Sequence, residues 1–139
     1  MLDRLKRKFD TAKTLVPKAV FAGQNANDVG IVSIGSCDGA VNEALDILER
    51  RGIQVDYMRV RAFPFGQEVE DFLASHSLLF VVEQNRDAQL KSLLTLETAV
   101  EKAKLRSILY YAGLPMSSSC IVDGVVAELG ADVRVRSVV

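Results

Sequence analysis

Three short stretches carry the residues that chemistry needs. The densest is Glu83-Gln84-Asn85-Arg86-Asp87-Ala88-Gln89, which follows five apolar residues at 78–82. Asn85 suits the cap of the next helix, and Asp87 favours that helix's positive end. Capping explains one or two polar side chains here, not six. Glu83, Gln84, Asn85, Arg86 and Gln89 are therefore the first candidates for ligand or interface contact. The second stretch is Arg59-Val60-Arg61-Ala62-Phe63-Pro64-Phe65-Gly66. Arginine forks bind carboxylates and phosphates, and arginine among aromatics is the make-up of interface hot spots. Arg59, Arg61, Phe63, Pro64 and Phe65 are the candidates. The alternative is a surface loop whose phenylalanines tuck into the domain's own core. The third stretch is Gly35-Ser36-Cys37-Asp38-Gly39, two glycines ahead of a helix N-terminus, where backbone N–H groups can hold an anion. It matches neither GxGxxG nor GxxxxGK[ST], and Asp38 would repel a phosphate. The plainer reading is a tight turn with Asp38 as N-cap, worth about 1 kcal/mol to the helix. Gly35, Ser36 and Asp38 are the ligand or interface candidates in this loop.

Catalytic groups are scarce. His76 is the only histidine, and no second metal ligand is spaced near it. It falls at the end of a short predicted helix, where the dipole favours a cation, and reads as structural. Cys37 lies beside a helix N-terminus, which lowers a thiol pKa, but no histidine base is near it in sequence. No catalytic triad and no acid/base pair has convincing spacing. The two cysteines, Cys37 and Cys120, form no CxxC pair and no Cys/His cluster, which excludes a structural zinc site. Two scattered thiols without a secretory leader suit a reducing cytoplasm.

The elements that position these stretches follow from hydrophobic rhythm. Residues 1–16 form a lead helix stopped at Pro17, and 19–28 are a connector in which 19–22 suit a short strand. From Gly30, strands are expected at 31–34, 53–60, 78–82 and 105–111. Helices fall between them: Val41, Ala44, Leu45 and Leu48 in one, Val69, Phe72 and Leu73 in the next, then Leu90, Leu93 and Leu94. A last helix carries Ile121, Val122, Val125 and Leu129 and is expected to stop at Gly130, with hydroxyls at 117–119 as caps. Residues 132–138 alternate charged and apolar, as an edge strand or a frayed tail would. The succession of βα units implies a three-layer α/β/α domain with a mostly parallel five-stranded sheet. In such sheets ligands and partners meet the loops at the C-terminal strand ends, here 35–39, 61–66, 83–87 and 112–117.

With 139 residues, 49% of them hydrophobic, the chain supports one core of its own. No run of 18 apolar residues exists to span a membrane. The net charge of −1 is uneven: six basic and two acidic residues give positions 1–18 a charge of +4, leaving −5 for the rest. Leu2, Leu5, Phe9, Ala12 and Val16 fall at helical spacing, so the basic lead reads as a solvated helix face. The body has no basic stripe, and nucleic acid is not an expected partner.

Longer segments resemble one known family. IVSIGSCDGAVNEALDIL, VDYMRVRAFPFGQEVEDFL, LLFVVEQNRDAQLKSLL and LRSILYYAGLP, in that order, resemble the C-terminal part of the α subunit of 2-oxoacid:ferredoxin oxidoreductases, especially the 2-oxoglutarate type. That part is similar to the transketolase C-terminal domain. The lead RLKRKFDTAKTLVPK resembles the linker ahead of it, which divides the chain into a basic linker helix and connector at 1–28 and the α/β domain at 29–139. The most specific piece is Val-Glu-Gln-Asn-Arg-Asp with Arg-x-Arg-x-Phe-Pro upstream.

The resemblance implies a thiamine-diphosphate enzyme that oxidatively decarboxylates a 2-oxoacid, passes electrons through an iron–sulfur cluster to ferredoxin and yields an acyl-coenzyme A. It places thiamine diphosphate, Mg2+ and the cluster in the assembled enzyme, with the thiamine-activating glutamate on the preceding α-subunit domain and the Mg2+–diphosphate motif and cluster cysteines on the β subunit or associated chains. The expected role of this chain is assembly and active-site architecture, with no turnover alone. The other expectation is a free-standing module for a phosphate- or coenzyme A-bearing ligand at loops 35–39 and 83–87.

Overall fold

The computed structural model describes residues 1–23 and 26–136. Helix α1 spans Leu2–Leu15 and is followed by strand β1, Val20–Ala22. Then come β2 (Val29–Ile34), α2 (Asp38–Arg50), β3 (Asp56–Val60), α3 (Gln67–Ser75) and β4 (Leu78–Glu83). The chain closes with α4 (Gln89–Glu97), β5 (Leu105–Leu109) and α5 (Ser118–Arg136). The strands form one sheet in the order β1-β3-β2-β4-β5. Four of them run parallel, and β1 lies antiparallel on β3, with Phe21 opposite Met58. The expected α/β/α sandwich with a mostly parallel five-stranded sheet is the observed fold.

Alternation along each strand splits the core between the two faces. Ile31, Tyr57, Phe80 and Val82 face one side, where Val41, Ala44 and Leu48 of α2 and Ile121, Val122 and Val125 of α5 cover them. Val32, Met58, Leu79 and Val81 face the other, under Val69, Phe72 and Leu73 of α3 and Leu90 and Leu94 of α4. Strand β4 is buried on both faces, which is why its sequence shows no polar alternation. Helix α5 sits close on β5 because Gly124 has no side chain: a Cβ there would come within 2.9 Å of Ile108.

A buried polar knot closes the amino edge of the sheet. Asp56, at the start of β3, accepts hydrogen bonds from the Asn27 backbone N–H (3.0 Å) and side-chain amide (2.9 Å). Its carboxylate also meets His76 Nε2 at 3.2 Å, while His76 Nδ1 donates to the Phe72 carbonyl at 2.7 Å. Burial pushes the Asp56 carboxyl up, but these hydrogen bonds outweigh it and hold the group below its usual value. His76 thus follows α3 as a structural residue, fixed by a partner that its sequence neighbourhood does not contain.

Several boundaries differ from expectation. β3 begins at Asp56, not 53, and β5 ends at Leu109, not 111. Residues 132–136 do not form a strand: α5 runs past Gly130 to Arg136, and 137–139 lie outside the described residues. Alternation over so few residues fits either element, and the helix already established from Ser118 continues as far as Arg136.

Candidate functional site

The carboxyl edge gathers all three candidate stretches, because β2, β3 and β4 end there side by side. After β2 the chain turns to β3 on one side, then returns to β4 on the other. The gap between the ends of β2 and β4 is therefore the switch point at which doubly wound sheets receive ligands. Here it is bridged. Ser36 Oγ donates to Gln84 Oε1 at 2.6 Å, and Gln84 Nε2 donates to the Leu114 carbonyl at 3.4 Å.

Gly35 takes φ +70, which only glycine adopts without strain, and opens a 3-10 turn, Gly35–Cys37, that runs straight into α2. That continuity corrects the capping expectation. Asp38 is the first residue of α2 rather than its N-cap, and no side chain caps the helix. Its carboxylate is engaged instead by the sheet. Tyr57 Oη donates to Oδ1 at 2.9 Å, and Arg59 Nη1 approaches Oδ2 at 3.3 Å. Tyr57 also shares a 2.7 Å hydrogen bond with the buried Ser33 hydroxyl. Burial pushes the Tyr57 phenol up, so it stays protonated and serves as a donor. Arg59 Nη2 reaches the Gly35 carbonyl at 3.4 Å. Arg59 is thus neutralised by Asp38 and locks the 35–38 turn. The thiol beside them is not activated: burial pushes Cys37 up, against the expected lowering at a helix N-terminus.

The 83–89 stretch divides in two. Glu83 is buried, and its carboxylate accepts from the backbone N–H groups of Leu90 and Lys91 and from Asn85 Nδ2. Asn85 Oδ1 accepts from the N–H groups of Asp87 (3.1 Å) and Gln89 (3.3 Å). Both residues therefore hold the N-terminus of α4, and Ala88, immediately ahead of the helix, is in a left-handed conformation. Asp87, expected to favour that helix end, instead pairs with the neighbouring Arg86 at 2.8 Å. Arg86 and Gln89 face solvent.

The 59–66 stretch divides similarly. Phe65 and Pro64 are buried, so Phe65 (6% exposed) joins the core as the alternative reading had it. Phe63 is 44% exposed and packs edge-on against Phe65 at 5.4 Å. Arg61 is exposed beside it. Sequence reading missed a further group at this edge: Ile34, Tyr111 and Leu114 are large, apolar and exposed. The signal available for them was their position, at or just after strand ends.

Among the described residues, no three His, Cys, Asp or Glu side chains gather to hold a metal ion. Cys37 and Cys120 are two thiols where an iron–sulfur cluster uses four, so the residues present do not fit a cluster. A depression of about 380 Å³, lined by Leu45, Asp46, Glu49 and Ile53 among others, lies at α2 and β1, away from the carboxyl edge. No helix among the described residues is long and apolar enough to cross a membrane.

No family model matches the chain. Its sequence is 33% identical over 123 residues to the α subunit of 2-oxoacid:ferredoxin oxidoreductase 2 from Aeropyrum pernix, covering 85% of this chain and 19% of that one. The α chain of a probable 2-oxoacid ferredoxin oxidoreductase from Thermoplasma acidophilum superposes with a TM-score of 0.56 at 30% identity, over 81% of this chain and 97% of that one. The chain belongs to the 2-oxoacid:ferredoxin oxidoreductase α-subunit family. A higher TM-score, 0.76 at 27% identity, relates it to the 2-oxoglutarate:ferredoxin oxidoreductase from Magnetococcus marinus with 2-oxoglutarate, coenzyme A and succinyl-CoA bound. That match covers 86% of this chain and 21% of the other. A split-gene transketolase shares the fold, with a TM-score of 0.61 at 16% identity over 78% of this chain and 41% of that one. The chain spans about a fifth of the length of the curated relatives it matches.

Proposed function

We propose that this chain is the C-terminal, transketolase-like domain of an oxidoreductase α subunit and that its work is assembly and active-site architecture. The assembled enzyme oxidatively decarboxylates a 2-oxoacid, 2-oxoglutarate by preference, to an acyl-coenzyme A and reduces ferredoxin. Thiamine diphosphate, Mg2+ and the iron–sulfur cluster belong to the other α-subunit domains and the β subunit. The substrate assignment draws on the 2-oxoglutarate enzyme among the structural relatives. The observation that carries the assembly reading is the carboxyl edge itself. Its polar groups are largely spent on one another, whereas Phe63, Ile34, Tyr111 and Leu114 are exposed there with Arg61 and Arg86. Exposed aromatics and arginines beside a rigid frame are the composition of an interface core, not of a catalytic pocket.

The test is reconstitution. The chain is combined with separately produced remaining α-subunit domains and β subunit of its organism, and ferredoxin reduction dependent on 2-oxoglutarate and coenzyme A is followed. The isolated chain shows no turnover, and the double variant Arg61→Glu/Phe63→Asp lowers the activity of the mixture at least about tenfold, since it removes an aromatic anchor and reverses a charge. Oxidation of 2-oxoglutarate by the isolated chain, or equal activity of the mixture without it, overturns the reading.

A further inference from the structure

Helix α1 is amphipathic, and the described residues do not bury its apolar side. The described residues bury no side chain of α1. Leu2, Leu5 and Phe9 are each at least half exposed. On a helix turning 100° per residue, Leu2, Leu5, Phe9, Ala12 and Val16 form one stripe. The charges are sorted around it. Lys8 borders the stripe on one side, and Lys6 and Lys13 on the other. Arg4, Arg7 and the two acids, Asp3 and Asp10, lie farther round the helix. Both margins of the apolar stripe are therefore cationic.

We infer that α1 is a docking element whose occupant is an apolar groove with carboxylates along both rims, on the remainder of the α subunit. This rests on the proposed function and adds a second contact, separate from the carboxyl edge. The curated relatives are about five times the length of this chain, so an α subunit of that size offers further surface for such a helix. The root of α1 is built for the task. Glu68 accepts from the Ala19 N–H and from Lys18 Nζ, both at 3.3 Å, so the connector is held against α3 while α1 stands clear. A helix lying in a groove uses i, i+3, i+4 and i+7 anchors, which Leu2, Leu5, Phe9 and Ala12 supply.

The test uses this chain with the remainder of the α subunit of its organism, produced and purified separately. A zero-length carbodiimide joins lysines only to carboxylates in direct contact, and peptide mapping then locates the links. Links from Lys6, Lys8 or Lys13 to partner Asp or Glu are expected. Leu5→Asp/Phe9→Asp weakens association about 100-fold, as expected for two buried apolar anchors. Lys6→Glu/Lys8→Glu/Lys13→Glu weakens it in a salt-dependent manner. Both variants keep the melting temperature of the body, because α1 buries nothing. Wild-type association of either variant overturns the inference, as do links confined to a second copy of this chain. Loss of binding to vesicles of one-third phosphatidylglycerol, with association to the α-subunit chain unchanged, assigns the helix to a membrane surface and overturns it too. If Arg61→Glu/Phe63→Asp abolishes assembly while the α1 variants do not, this inference fails and the proposed function stands. If the wild-type chain does not associate at all, both fail.

Discussion

Replacing Glu83 with alanine tests whether the carboxyl edge is held by its own residues. Three donors lose their acceptor: the N–H groups of Leu90 and Lys91 and the side-chain amide of Asn85. The Lys91 N–H and the Asn85 amide are partly buried, so water replaces much of what they lose. The Leu90 N–H is buried, and an unpaired buried donor costs about 1–3 kcal/mol. Loss of the cap contact at the Lys91 N–H costs about 0.5–2 kcal/mol more. Relief of the desolvation of Glu83 offsets part of this, and the sum is about 3 kcal/mol. For a chain of this size, 1 kcal/mol moves the melting temperature by about 3–4 °C. Differential scanning calorimetry of Glu83→Ala is therefore expected to show a drop of about 10 °C, and Glu83→Gln, which keeps one oxygen, about half of it. The turn at 84–88 should also open, with faster amide exchange at Gln89 and Leu90. A Glu83→Ala melting temperature within about 2 °C of wild type would refute the assignment of Glu83 as the anchor of α4.

Two further outcomes follow from buried groups. The folded Asp56 carboxyl lies below its ordinary value, so its contribution to stability is complete above the unfolded pKa and is lost as pH falls through the folded one. Urea titrations between pH 6 and pH 2.5 (about the range in which a carboxylate titrates) should show stability falling less steeply for Asp56→Asn than for wild type; parallel curves would sink the claim. Cys37 is buried with its thiol pushed up, so an aromatic disulfide reagent should label it only on unfolding, read by mass spectrometry of peptides. Labelling of Cys37 within seconds in the native state would contradict the geometry.

The sequence showed unequal parts of this molecule. β4 and its following loop were legible because a strand covered on both faces cannot hide its apolar run. The split of each candidate stretch was not. Glu83 finds its amides seven and eight residues later, across a turn that depends on Ala88 adopting a left-handed conformation. Local propensity carries no sign of that. Asp56 and His76 are twenty residues apart and meet because β3 and β4 run parallel with β2 between them. The roles of Phe63 and Phe65 are assigned by direction alone, since two identical side chains two residues apart turned one inward and one outward. Asp38 looked like a cap because its type and position fitted one, yet Tyr57 and Arg59 claimed its oxygens from the neighbouring strand.

The hold of Glu68 on Lys18 and Ala19 has a kinetic consequence. It gives α1 a fixed root, so the helix and the carboxyl edge travel on one frame. In the proposed complex the chain is then a bivalent ligand. Once either surface is seated, the other searches for its site at an effective concentration of order millimolar. Each contact alone can be weak and quickly reversible while the pair dissociates slowly. Releasing the root at Glu68 would lengthen the tether and dilute the second contact without touching either surface, lowering avidity while leaving both intrinsic affinities unchanged.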